Sequence, residues 1–304
     1  MTTGTVLSLA GSDFLEVRSR KAEMDPFVFA AVLFAALCHA SWNTLLKVRL
    51  DPFATNALIT VASGLIGLVA LPFVGIAPSV SWPWVAASIV LHMAYYYGLT
   101  EAYRTGDLSQ VYPIARGAAP LMTAVVSTNV LAEDIGLFGW TGVLLLVAGV
   151  FLLSVRGGRD LARIDRRAVG FALFTATTIC GYSLVDGIGA RVSGNAHAYA
   201  ALLFVFDGLV MAIVAFWRRG QAIISEGRIY WKTGLIGGAL SVTSYWIAIW
   251  AMTVAPIAIV AALRETSVLF AAVIAFFILK EPLRPARAIA AVMIVFGLAL
   301  IRLH

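Results

Sequence analysis

Ten apolar stretches of about 20 residues follow one another along this 304-residue chain, at 27–46, 55–74, 82–103, 108–131, 138–155, 168–188, 197–217, 230–252, 256–279 and 285–302. Each is long enough to cross a hydrocarbon core of about 30 Å as a helix rising about 1.5 Å per residue. The chain is 61% hydrophobic and 12% charged, whereas about a quarter of a soluble domain is charged. The fold class is therefore an all-α integral membrane protein with ten transmembrane helices. The longest connections, 156–167 and 218–229, hold about a dozen residues each, so any binding takes place within the membrane region.

These features exclude several functions. The net charge of +6 comes from basic residues in short loops beside the span ends, where lipid headgroups and the insertion machinery act on them, so no nucleic-acid partner is expected. Metal-ligand spacing, a GxSxG elbow, a phosphate loop and paired catalytic carboxylates are all missing from the sequence, which argues against an enzyme and against a cofactor or metal. Cys38 and Cys180 fall inside spans and read as small buried hydrophobes, with no disulfide framework.

Sliding the sequence by 148 positions lays Arg116 on Arg264, Glu133 on Glu281 and Gly149 on Gly297, with apolar matches between them. The chain thus carries one unit twice. The expected division is a disordered tail over 1–24, a first repeat over 25–155, a charged linker over 156–167 and a second repeat over 168–304. Five spans per half is an odd number, so the second half enters the membrane inverted. Inverted repeats are a usual build of secondary transporters, with the site at the repeat interface near mid-bilayer.

The register also places the arginines. Each stands eight residues into its span, counted from Leu108 and from Pro256, which puts it about 12 Å inside the face where that helix starts. Those faces are opposite, so both guanidiniums fall within a few ångströms of the midplane. Arginine stays charged there at a cost of about 2.5 to more than 10 kcal/mol, so neither is expected to face lipid. Two readings compete, beside a third in which the arginines line a water-filled vestibule with no specific ligand. In one, each arginine pairs with an internal carboxylate such as Glu101, Asp186, Asp207 or Glu265, or caps helix carbonyls, and fixes the bundle. In the other, at least one grips a carboxylate, phosphonate or phosphate of a substrate bidentately.

Other polar side chains inside spans complete the candidate set. Trp42, Asn43, Tyr96, Tyr97, Tyr182, Tyr245 and Trp246 are candidate substrate contacts, set against the commoner role of aromatics in packing and at interfaces. His39, Glu101, Asp186, Asp207 and Glu265 are candidates for carrying a proton. Glu133 and Glu281 lie at span ends and are expected to cap the following helix. Pro113 is expected to kink or open span 4 just before Arg116. Span 2, with Gly64 and Gly67, and span 5, with Gly142 and Gly149, offer small-residue packing faces.

Ten spans in two halves, with Glu133 or Glu281 ending span 4 or 9 before a glycine-bearing span, resemble the drug/metabolite transporter superfamily of the EamA type across nearly all of 25–303. The segment GDLSQVYPIARGAAP at 106–120 is similar to a subset associated with phosphonate-utilisation operons. The resemblance implies a central cavity lined by spans 1, 3, 4, 6, 8 and 9. It also implies alternating access and export or exchange of a small polar metabolite across the cell membrane, a bacterial inner membrane, by a monomer or homodimer in contact with lipid. A lipid-linked phosphate flippase using the same arginines is the alternative. One departure stands out: Arg264-Glu265 has no matching pair at Arg116-Gly117.

Overall fold

A computed structural model describes residues 24–45, 51–105, 108–154, 165–279 and 285–303. Tail residues 1–23, most of the linker, and Glu281 lie outside the described residues. The helices are α1 (Pro26–Leu45), α2 (Pro52–Val74), α3 (Trp82–Thr105), α4 (Leu108–Val130), α5 (Gly136–Ser154), α6 (Arg166–Ser193), α7 (Ala196–Arg219), α8 (Gln221–Val254), α9 (Ile257–Arg264), α10 (Ser267–Leu279) and α11 (Pro285–Arg302). Helices α9 and α10 are the two parts of the ninth span, so ten spans are present.

Local chemistry sets several ends. Asp51 accepts from Ala54 N and precedes Pro52 in the first turn of α2. Asp165 caps α6, and Asn195 accepts from the first N–H groups of α7. Each supplies an acceptor to an otherwise orphaned donor. Helix α8 contains a kink at Tyr230 (φ −108°, ψ 19°), which separates the stretch after Gly220 from the spanning part.

Among the described residues, seven helical segments are long and apolar enough to cross a bilayer on length and composition alone. Helices α3 and α4 carry polar groups such as His92, Tyr96 and Arg116 within their spans.

The halves pack as a twofold arrangement requires. Span 2 lies on span 7, span 5 on span 10, span 3 on span 6 and span 1 on span 8. The 148-residue register can be checked at the α5–α11 crossing. A Cβ on Gly142 would lie 2.8 Å from Gly297 O, and one on Gly149 would lie 3.0 Å from Ala290 O. In that register Gly142 corresponds to Ala290 and Gly149 to Gly297, so the two contacts exchange under the repeat operation. Glycine is needed here because helices in lipid associate through close packing, with no hydrophobic gain between them.

The α2–α7 crossing is tighter still, with a Cβ on Gly208 falling 2.7 Å from Gly64 Cα. Gly208→Ala, which would favour an exposed helix, is therefore expected to destabilise this one by about 1–3 kcal/mol, and Gly208→Leu by more. Thermal unfolding in detergent reads this directly. A variant as stable as wild type would show that the crossing can open at no cost.

Two expectations about helix ends need correction. Span 4 is one helix from Leu108 to Val130, running on through Pro113, whereas span 9, which has no internal proline after Pro256, is the broken one. The break at Glu265-Thr266 is held by i→i+3 bonds from Glu265 N to Ala262 O (3.0 Å), Thr266 N to Leu263 O (3.1 Å) and Val268 N to Glu265 O (3.0 Å). This tighter winding ends an α-helix without proline. Glu133, for its part, does not cap the following helix. Ala132, at φ 54°, turns the chain, and Asp134 takes the cap of α5 by accepting from Gly136 N at 2.8 Å. Glu133 instead accepts from Ile257 N at 2.9 Å, capping α9 in the other repeat, and pairs with Arg191 at 2.7 Å.

Candidate functional site

Helix α4 comes from the first repeat, α6 and α9 from the second, and between them lies a small polar cavity. Helix α4 contributes Arg116, Pro120 and Thr123; α6 contributes Ile179, Tyr182 and Ser183; α9 and its break contribute Ala261, Arg264 and Glu265. The space is about that of one water molecule.

The two arginines meet here, as their register requires, but they are not alike. Arg116 is 7% exposed and its Nε lies 2.9 Å from Glu265 Oε2, an ion pair rather than an aligned hydrogen bond. Its Nη2 donates to Ser267 Oγ at 3.1 Å. Arg264, 9% exposed, lies with its Cζ 4.7 Å from the centre of the Tyr245 ring. Among the described residues no carboxylate approaches its guanidinium to ion-pair distance.

The repeat explains the difference. Glu265 and Ser267 follow Arg264 by one and three residues, and the corresponding positions after Arg116 are Gly117 and Ala119. The twofold operation that brings Glu265 and Ser267 to Arg116 thus assigns only Gly117 and Ala119 to Arg264. One arginine is neutralised by the protein; the other keeps its charge facing the cavity, with an aromatic ring on one side.

The Tyr245 ring is held from behind. Its hydroxyl donates to Asp186, which is fully buried and also accepts from Tyr199 Oη at 2.9 Å. Tyr182 stacks on His92 at 4.4 Å and meets the Tyr245 ring edge-on at 5.9 Å. His92 in turn lies beside Ser88, with Nδ1 3.1 Å from Ser88 Oγ. Of this aromatic layer from α3, α6 and α8, Tyr182 lines the cavity itself.

The remaining candidates are spread more widely. On α1 the His39 ring meets Trp42 edge-on at 5.2 Å and interacts electrostatically with both arginines, while Asn43 donates to His39 O at 2.8 Å. Tyr96 donates to Asp207 Oδ2 at 3.3 Å, away from the cavity. Tyr97 points outward, 59% exposed, against Phe171. Trp246 donates to His197 Nδ1 at 2.8 Å and stacks on Phe204. Glu101 pairs with Arg104 at 3.4 Å. Of the four carboxylates offered as partners for the arginines, Glu265 is the one that, among the described residues, reaches ion-pair distance of either. Ser267, Ser183 and Thr123 join the site without having been singled out, because small hydroxyl residues in apolar spans carry no signal that separates them from packing residues.

No curated protein matches the chain. A solved crystal structure is similar to it in fold, with TM-score 0.72 and 18% sequence identity over 91% of this chain and 96% of that one. The EamA-like transporter family matches residues 26–155 and 166–303, one match for each half. With ten spans in two inverted five-helix repeats and a polar cavity between them, the chain belongs to the EamA-like transporter family and is an integral membrane transporter of small molecules.

Proposed function

We propose that this protein moves a small anionic or zwitterionic metabolite, an amino acid or another carboxylate- or phosphonate-bearing compound, across the bacterial inner membrane as an exporter or exchanger. The repeats at 25–155 and 168–304 rock against each other about the central cavity and expose it alternately to the two sides. Arg264 takes the substrate's anionic group through its planar, bidentate donor set. Tyr245 and Tyr182 bound the site, and Ser183 offers a hydroxyl to a second polar group.

The observation that carries this reading is the unequal treatment of two buried arginines. A guanidinium desolvated at mid-membrane without a carboxylate is costly, and a bound anion removes that cost. The test is counterflow in proteoliposomes preloaded with unlabelled solute, using labelled glutamate, alanine and aminoethylphosphonate. Saturable exchange of at least one of them is expected. No exchange with any of the three would sink this substrate class, and scrambling of a lipid-linked phosphate in the same vesicles would point to the flippase instead.

A further inference from the structure

The buried charged side chains among the described residues are Arg116, Arg264, Asp186, Asp207 and Glu265. That is three carboxylates against two guanidiniums, so the fully ionised centre carries a net charge of −1. Glu265 is matched by Arg116. Asp186 accepts from the hydroxyls of Tyr199 and Tyr245. Asp207 is the poorly served one. It sits in the middle of α7, 7% exposed, with one hydroxyl donor on Oδ2, from Tyr96 at 3.3 Å. Its Oδ1 is buried with no hydrogen-bond partner. A buried polar atom left unsatisfied is costly and calls for an explanation.

We propose that Asp207 is the proton-carrying residue of transport, loaded together with the anion at Arg264, so that one proton crosses with each monoanionic substrate. This rests on the reading of Arg264 as the anion site. A proton is the smallest ligand that removes the Asp207 charge. Binding an anion at Arg264 cancels one of the two buried positive charges and takes the centre from −1 to −2. Binding a proton at Asp207 returns it to −1. Each ligand therefore strengthens the other, and by linkage the effect is reciprocal. The loaded carrier holds both, which makes the carriage of a monoanion electroneutral.

The groups facing Asp207 fit this role. From α3 come Tyr96, bonded to it, and His92, which interacts electrostatically with Asp207 and with Asp186 on α6. Helix α2, packed closely on α7, presents no titratable side chain, and its Thr60 hydroxyl lies 3.5 Å from Tyr96 Oη. On α8 the titratable groups are Tyr245, bonded to Asp186, and Glu226, Arg228, Tyr230 and Lys232 in the segment around the kink. Among the described residues no basic side chain approaches Asp207 to ion-pair distance. The aromatic layer joins the two sites: the His92 ring lies 6.5 Å from Tyr96 and 5.7 Å from Tyr245, whose ring underlies Arg264.

Two measurements test this. Infrared difference spectra of the purified full chain, recorded across pH, are expected to show the C=O stretch of a protonated carboxyl that titrates, and Asp207→Asn is expected to lack it. The same band surviving in Asp207→Asn, or no titrating band in wild type, overturns the proposal whatever the substrate proves to be. The carrier is reversible: an outward substrate gradient exports anion and proton together, and in proteoliposomes an acid-outside gradient is expected to drive the reverse, uptake of the labelled amino acids or aminoethylphosphonate in wild type. Asp207→Asn is expected to reduce that drive about tenfold or more while keeping counterflow exchange, and Asp207→Glu to retain the drive. Uptake driven by a sodium gradient instead, or a drive undiminished in Asp207→Asn, overturns the assignment. Loss of counterflow with the whole panel would remove the substrate reading and leave the infrared result to decide the proton.

Discussion

Arg264→Ala is expected to lower transport about a hundredfold or more while the protein still folds and elutes as wild type in detergent. The size follows from removing one side of a buried, charge-assisted contact, which costs about 2–5 kcal/mol where the other side is an anion. The fold is expected to survive because, among the described residues, no carboxylate lies at ion-pair distance from Arg264, whose ring contact is with Tyr245, worth about 0.5–2 kcal/mol. Arg264→Lys should recover part of the activity, since the charge returns without the planar fork. A converse variant is more telling. A Cβ on Gly117 meets nothing nearer than Val147 Cγ1 at 3.8 Å, and Gly117 occupies the repeat position of Glu265. Gly117→Glu is therefore expected to supply Arg264 with the carboxylate it lacks, leaving the protein folded and stopping transport. Wild-type transport in both Arg264→Ala and Gly117→Glu would end the anion-site reading.

Arg116→Ala is expected to fail differently, by loss of stability. Its partner Glu265 is 4% exposed and sits at the break between α9 and α10. Removing the guanidinium leaves a buried carboxylate uncompensated, at about 3–5 kcal/mol. Ser267 loses the Nη2 donor as well. The break itself depends on this site, so a lower unfolding temperature in detergent should accompany faster proteolysis near 264–267. Arg116→Met with Glu265→Met removes both charges and is expected to restore most of the lost stability. If Arg116→Ala melts as wild type does, the pair does not fix the bundle.

Membrane embedding was legible from the sequence because the requirement is local. Each span must be apolar and about 20 residues long, and composition alone reports that. The repeat register was legible for a similar reason. Arg116 and Arg264, Glu133 and Glu281, and Gly149 and Gly297 survive at one offset, and that offset correctly relates the Gly142 and Gly149 contacts with α11. The conflict between α3 and α4 and a lipid environment was visible too, since their polar groups have nowhere to go but inward.

What each charge touches was not legible. Glu133 looked like the cap of its own following helix, yet it closes the N-terminus of α9 and holds Arg191 across the repeat interface. Pro113 pointed to span 4, yet the break lies in span 9 at Glu265-Thr266, where i→i+3 bonds hold the turn and no proline marks it. By itself the sequence determined that two arginines stand at one repeat position on oppositely entering helices, because span length and register are one-dimensional quantities. Only the tertiary structure decided that Arg116 is neutralised and Arg264 is not. Ion pairing depends on which side chains from distant helices arrive within a few ångströms of one another, and divergence of the repeats left Glu265 on one side of the pseudo-twofold and Gly117 on the other.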